Sequence, residues 1–175
     1  MLLAPPCEIT VPGSKSIANR ALILNFLCGN KTEIINIPKC DDCEYLVKAL
    51  VVLGQKRLLG QQSQVQQRQD QQSQDQQRQD QQSQDQHNHE NSTTPLKLYT
   101  GNAGTATRFL TALCTLLPFQ TSITGNERMQ QRPIQELINA LVALGAKIDC
   151  PSGCPPIKIS PQVPQGGQIK LKGNI

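Results

Sequence analysis

The chain has 175 residues, with 17 Lys and Arg against 13 Asp and Glu, a formal net charge of +4, no Trp, two Tyr and three Phe. So few rings offer little for single-stranded bases to stack on, which argues against a nucleic-acid module, and no apolar run is long enough to span a membrane. The charge is uneven: between residues 61 and 90 two arginines face five acids, a local −3 that leaves the remainder at +7, a balance suited to phosphate or carboxylate ligands.

Met1 to Ala4 run directly into Pro5 and Pro6, without the basic and apolar regions of a signal peptide. The expected location is therefore cytoplasmic, where thiols stay reduced. Next comes Pro12-Gly13-Ser14-Lys15-Ser16-Ile17-Ala18-Asn19-Arg20, opening into the apolar Ala21-Leu22-Ile23-Leu24. Gly13 allows close backbone approach, and the free N–H groups of a helix start bind anionic oxygens. Ser16 and Arg20 are four apart, so they share a helix face and can grip one anion together. Lys15 and Arg20 lie at the helix end whose dipole disfavours cations. A breach of a local rule of this kind marks a functional site. The two-glycine spacing of a nucleotide P-loop is missing, which discounts ATP.

Glu33 to Ile37 is β-rich, and a second helix follows, with Asp41 and Asp42 as capping residues at its start and Gly54 at its end. Cys40-x-x-Cys43 and Cys150-x-x-x-Cys154 could be paired with His87 or His89 as a zinc site. Cys43 begins the predicted helix and both histidines lie in a polar segment, so free thiols and no metal are expected.

Residues 61–70, 71–80 and 81–90 read QQSQVQQRQD, QQSQDQQRQD and QQSQDQHNHE, a ten-residue repeat with almost nothing to bury. Residues 61–94 are expected to form a Gln-rich disordered insertion, tolerated because loop-closure entropy grows only slowly with length. A role for this segment in self-assembly is the alternative from another functional class.

Beyond the insertion the first design recurs. Gly101-Asn102-Ala103-Gly104-Thr105-Ala106-Thr107-Arg108 enters the apolar Phe109-Leu110-Thr111-Ala112-Leu113, followed by a β-rich stretch from Gln120 to Thr124. Arg132 stands just before Pro133, which suits the first position of a further helix. Leu46 to Lys56 aligns without gaps on Leu137 to Lys147, with identical Leu, Ala, Leu, Val, Leu, Gly and Lys positions. Leu137, Leu141 and Leu144 form the stripe of a buried face. Self-similarity means a repeated supersecondary unit. The fold class is therefore α/β (α+β), a β-α-β-α-β-β unit present twice. The first copy lies within residues 1–60 and the second within 95–175, with Ile157 to Ile159 and Gln168 to Leu171 as the final strands.

Three motifs in order carry a resemblance: Pro12 to Ser16 with Asn19-Arg20; Gly101 to Ala106 with Arg108; and Gly125-Asn126-Glu127-Arg128-Met129 with Arg132-Pro133-Ile134. Together they resemble 3-phosphoshikimate 1-carboxyvinyltransferase, the EPSP synthase family, and look closest to the version in the pentafunctional arom polypeptide. The resemblance implies the inside-out α/β barrel of the enolpyruvyl transferases, with residues 1–175 as an incomplete N-terminal domain. It implies transfer of the enolpyruvyl group of phosphoenolpyruvate to the 5-hydroxyl of shikimate 3-phosphate, with release of phosphate through a tetrahedral intermediate and no metal or organic cofactor. By motif match, Lys15, Ser16 and Arg20 would hold shikimate 3-phosphate. Lys15, Asn102, Gly104 and Arg132 would contact phosphoenolpyruvate, and Arg108 would support that wall. The sister family using UDP-N-acetylglucosamine typically has Asn after the lysine, so Ser16 with Arg20 favours shikimate 3-phosphate.

The family pattern continues with a Ser-Ser-Gln segment beyond the point matching Gly173-Asn174-Ile175. The family's acid/base residues lie further on, so no catalytic residue is assigned within this sequence. A complementing C-terminal fragment is the implied partner, and the isolated chain is expected to be inactive.

Overall fold

A computed structural model of the chain describes residues 13–75 and 94–169. In chain order it contains α1 (Lys15–Leu27), α2 (Asp41–Asp75), β1 (Leu96–Tyr99), α3 (Gly104–Cys114), β2 (Thr121–Thr124), a 3-10 turn (Met129–Gln131), α4 (Gln135–Ala143), β3 (Lys147–Asp149) and β4 (Ile157–Ser160).

The second half builds the expected β-α-β-α-β-β unit. Its four strands form one sheet in the order β1-β2-β4-β3. β1 and β2 are parallel, joined through α3, whereas β4 runs antiparallel to both β2 and β3. Alternation sorts the faces: Thr121 and Ile123 of β2 stand opposite Ile159 and Ile157 of β4, and all four are buried. Leu98 of β1 extends this row through its pairing with Ile123. α2 and α3 cover that face with Leu46, Leu50, Leu53, Leu110 and Leu113, and Phe26 of α1 joins the same core. Threonine hydroxyls tie α3 to the sheet. Thr100 and Thr107 share a hydrogen bond of 2.8 Å, and Thr100 also donates to the Thr124 carbonyl at 3.1 Å.

α4 ends as its glycine predicts. Gly145 has φ +98°, its N–H donates to the Val142 carbonyl at 2.9 Å, and the Ala146 N–H donates to Leu141 at 3.0 Å, the paired bonds of a Schellman cap. Other expectations for this unit are corrected. α4 begins at Gln135 with Ile134 as N-cap, so Pro133 precedes the helix instead of opening it. Leu137, Leu141 and Leu144 are half-buried, and Ile138 and Ala140 are the buried positions. The last two strands of the unit are β3 and β4; residues 168–169 are not in a strand.

The first half departs further. Glu33 to Ile37 forms no strand: Asn36 adopts φ +58°, which interrupts an extended run, and Ile35 is exposed. Gly54 does not end α2, which continues without a break through Gly54, Gly60 and on to Asp75. Residues 61–75, expected to be disordered, are therefore helical. The reason is chemical: glutamine and arginine are good helix formers, no proline intervenes, and extending an established helix costs little compared with nucleating one. The strand expected ahead of α1, residues 170–171 of the last predicted strand, and insertion residues 76–93 with His87 and His89 lie outside the described residues.

Candidate functional site

The N-termini of three helices meet at one carboxylate. Asp42, in the first turn of α2, accepts from the Lys15 ammonium at 3.1 Å through Oδ2 and from the Thr105 backbone N–H at 3.3 Å through Oδ1. Lys15 is the first residue of α1, and Thr105 is the second residue of α3. Neither Ser14 nor Ala103, the residues preceding those helices, caps its helix with a side chain. Orphan N–H groups at a helix start seek an acceptor, and at α3 one of them finds it on another helix. The Asp42 carboxylate beside it, by hydrogen bond first and by charge second, holds the Lys15 ammonium above its ordinary pKa of 10.5.

The predicted anion residues fall around this point. Arg20 folds back along α1, donating from Nη1 to the Ser16 carbonyl at 2.7 Å. Its guanidinium also lies over the Phe109 ring of α3, 5.8 Å from the centroid. Ser16 and Arg20 are thus on one face and both are exposed, and Arg20 connects that face to α3. On the far side of Thr105, Gly104 is buried and two guanidinium groups converge on it. A Cβ built on Gly104 would lie 2.7 Å from Arg132 Nη1 and 3.3 Å from Arg108 Nη1. Arg108 is braced by donating to the Gly104 carbonyl at 3.2 Å and the Pro133 carbonyl at 3.0 Å.

Asn102 sits in the turn just before α3, with a buried amide oxygen that has no hydrogen-bond partner among the described residues. Gly101 in the same turn has φ +55°, and its carbonyl accepts from the Asn126 N–H at 2.9 Å. That bond couples the α3 approach to the loop carrying Met129 and Arg132. Among the described residues, no carboxylate pairs with Arg108 or Arg132. Two like charges at a helix N-terminus are an arrangement that an anion would relieve.

Lys15, Ser16, Arg20, Asn102, Gly104, Arg108 and Arg132 therefore lie on elements connected by these contacts. Asp42 was read from sequence as a cap for its own helix, and its bridge to α1 and α3 has no local sequence signal. Nor has the Arg20 contact with Phe109. Both depend on how three helices pack. A groove of about 190 Å³ between α1 and α2, lined by Leu22, Asn25, Asn30, Val47, Leu50 and Val51, contains none of the predicted residues. Among the described residues six cysteines are free, and no group of three potential ligands could hold a metal ion. No described helix is long and apolar enough to cross a membrane.

Comparison with known proteins adds an independent finding. A family model described as EPSP synthase (3-phosphoshikimate 1-carboxyvinyltransferase) matches residues 6–175. A 3-phosphoshikimate 1-carboxyvinyltransferase of Shewanella loihica is 36% identical over 169 residues, covering 95% of this chain and 36% of that protein. One from a Sulfurovum species is 36% identical over 170 residues, covering 96% of this chain and 36% of the relative. Among solved structures, an EPSP synthase from Acinetobacter baumannii superposes with a TM-score of 0.57 at 21% identity, over 88% of this chain and 32% of that one, a likeness of fold. The chain thus spans little more than a third of the length of these curated relatives.

Proposed function

The chain belongs to the EPSP synthase family, and from that premise we propose that it supplies the anion-holding part of a 3-phosphoshikimate 1-carboxyvinyltransferase in the shikimate pathway. Such an enzyme moves the enolpyruvyl group of phosphoenolpyruvate onto the 5-hydroxyl of shikimate 3-phosphate and releases phosphate. Both substrates are anions. The observation that carries the reading is the meeting of the α1 and α3 N-termini, with Lys15, Arg108 and Arg132 gathered around Asp42 and Gly104.

In this reading Lys15, Ser16 and Arg20 hold the phosphate of shikimate 3-phosphate. Lys15 also faces phosphoenolpyruvate, which is held by Gly104 and Arg132 in a pocket lined by Asn102. Arg108, tied to the Gly104 and Pro133 carbonyls, keeps the α3 mouth and the Arg132 loop together. Their work is to fix two anions in reacting geometry and to oppose the charge that develops as the tetrahedral intermediate forms. The groups that move protons are expected in the remainder of the family's length, so turnover requires a complementing C-terminal part. No metal or organic cofactor is needed, and the reaction belongs to the cytoplasm.

Calorimetric titration of the chain with shikimate 3-phosphate, and then with phosphoenolpyruvate, tests this. Saturable binding of shikimate 3-phosphate, weakened about ten- to a hundredfold by Arg20→Ala, is the expected result for the loss of a charged hydrogen bond. Binding no stronger than that of inorganic sulfate, and unchanged in the variant, overturns the assignment. A phosphate-release assay on the chain alone should stay at background, and turnover would refute the need for the remaining part.

A further inference from the structure

Asp42 is enclosed by two cysteines that the anion site does not use. Cys40 is the N-cap of α2, its carbonyl accepting the Glu44 N–H at 3.0 Å, and Cys43 is the third residue of the helix. Residues three apart across a first helical turn have Cα atoms about 5 Å apart, inside the roughly 4.4 to 6.8 Å span of disulfides. Cys40 is partly exposed, whereas Cys43 is buried.

Behind them lies an incompletely satisfied polar residue. Asn19 of α1 is fully buried, and its amide oxygen accepts from the Cys43 thiol at 3.3 Å. Its amide nitrogen has no partner among the described residues. Burial first, then a hydrogen bond with Cys40, push the Cys43 thiol up to about 11. An accessible sulfur at the surface and a second one a helical turn away beneath it are the two parts that a two-step thiol exchange requires, the buried thiol giving up its proton as it attacks.

We propose that Cys40 and Cys43 are a modification site, a dithiol that closes reversibly to a disulfide by exchange with a low-molecular-weight disulfide. The Cys40 thiolate attacks one sulfur of the small disulfide, forming a mixed disulfide and expelling a small thiolate. Cys43 then attacks the Cys40 sulfur, forms the internal S–S bond and releases the second small thiol; its own proton ends on the released sulfur. Two protein thiols are oxidised, and one small disulfide is reduced to two thiols. The ring formed contains Asp41 and Asp42, so the oxidised chain carries a covalent clasp around the carboxylate that pairs with Lys15. Cytosolic disulfides are mostly transient and sensing ones, in keeping with this placement.

Incubating the full chain in mixtures of reduced and oxidised glutathione, alkylating it and mapping the peptides by mass spectrometry tests the site. The expected product is a Cys40–Cys43 bond that forms before Cys150 or Cys154 reacts and reopens with excess reduced glutathione. Cys43→Ser keeps a donor toward Asn19, and in it the Cys40–glutathione adduct should accumulate. In Cys40→Ser, Cys43 should stay unmodified. The proposal is overturned if Cys40 and Cys43 in the parent chain both remain alkylatable after exposed Cys28 has become a mixed disulfide. A Cys150–Cys154 bond forming first, or Cys43 reacting in Cys40→Ser as fast as in the parent, refutes it equally.

Discussion

Asp42 and Lys15, 27 positions apart in sequence, stand 3.1 Å apart across the α1–α2 junction, and the second oxygen of that carboxylate takes the Thr105 N–H of α3. A carboxylate is thus the anion at the point where the proposed site would take its substrates. It satisfies the helix start and the lysine together, and an incoming phosphate must share or replace those contacts.

Replacing Asp42 with Asn should therefore loosen Lys15 and remove the negative charge that competes with an outside anion, while the amide oxygen can still accept the Thr105 N–H. The ammonium is raised by Asp42, so its contribution to the pair is complete below the ordinary lysine value of 10.5 and is lost as pH climbs through the higher folded value. In Asp42→Asn the Lys15 side chain should titrate lower than in the parent, which NMR of the lysine side-chain signals reads directly. Inorganic phosphate affinity at neutral pH should rise modestly, about two- to fivefold, since the pair is solvent-screened. An unmoved Lys15 titration would show that the contact is absent in solution.

Gly104→Ala probes the other end of the site. The added methyl would lie 2.7 Å from Arg132 Nη1, the far end of a flexible side chain, so the guanidinium can move and the backbone need not. Thermal stability should hold within about 1 kcal/mol, because alanine is a better helix former than glycine. Phosphoenolpyruvate binding should fall about tenfold or more, as expected when one charged hydrogen bond is misplaced. Equal loss of stability and binding would point to backbone damage instead.

The second unit was readable because its signals are local. Gly145 supplies the conformation that its cap requires, β2 and β4 alternate, and α3 carries its apolar run directly after the Gly101 to Gly104 turn. The helix starts that carry the predicted anion residues on α1 and α3 were readable for the same reason, as glycine followed by cations. Asp42 as a bridge was not, because its partners lie on two other helices. Gly54 misled by sharing a motif with Gly145: the same residue type ends a helix only when the next residues prefer to leave it, and Gln55 to Arg57 continue α2 instead.

Leu110 is fully buried at the centre of the α3 face that meets the sheet. Leu110→Ala removes its contacts and leaves a cavity, a change that costs about 2 to 5 kcal/mol in close-packed cores. Since α3 carries Gly104 and Arg108, the variant should lose anion binding in step with folding as denaturant rises. Binding lost well before the folding signal would mean that the α3 mouth is held independently of this core.

The two matched glycines should respond oppositely to one substitution. Gly54 is in helical conformation inside α2, and a Cβ there would meet only Phe26 Cε2 at 3.8 Å, an ordinary contact. Gly54→Ala should raise helicity and stability by up to about 1 kcal/mol. Gly145 has φ +98°, and a Cβ would lie 3.3 Å from the Gln165 backbone nitrogen. Gly145→Ala should cost about 1 kcal/mol or more, through a left-handed conformation that alanine resists. Circular dichroism with urea unfolding separates the cases. If Gly54→Ala were as destabilising as Gly145→Ala, α2 would end at Gly54 in solution and the repeat would have to start outside the helix.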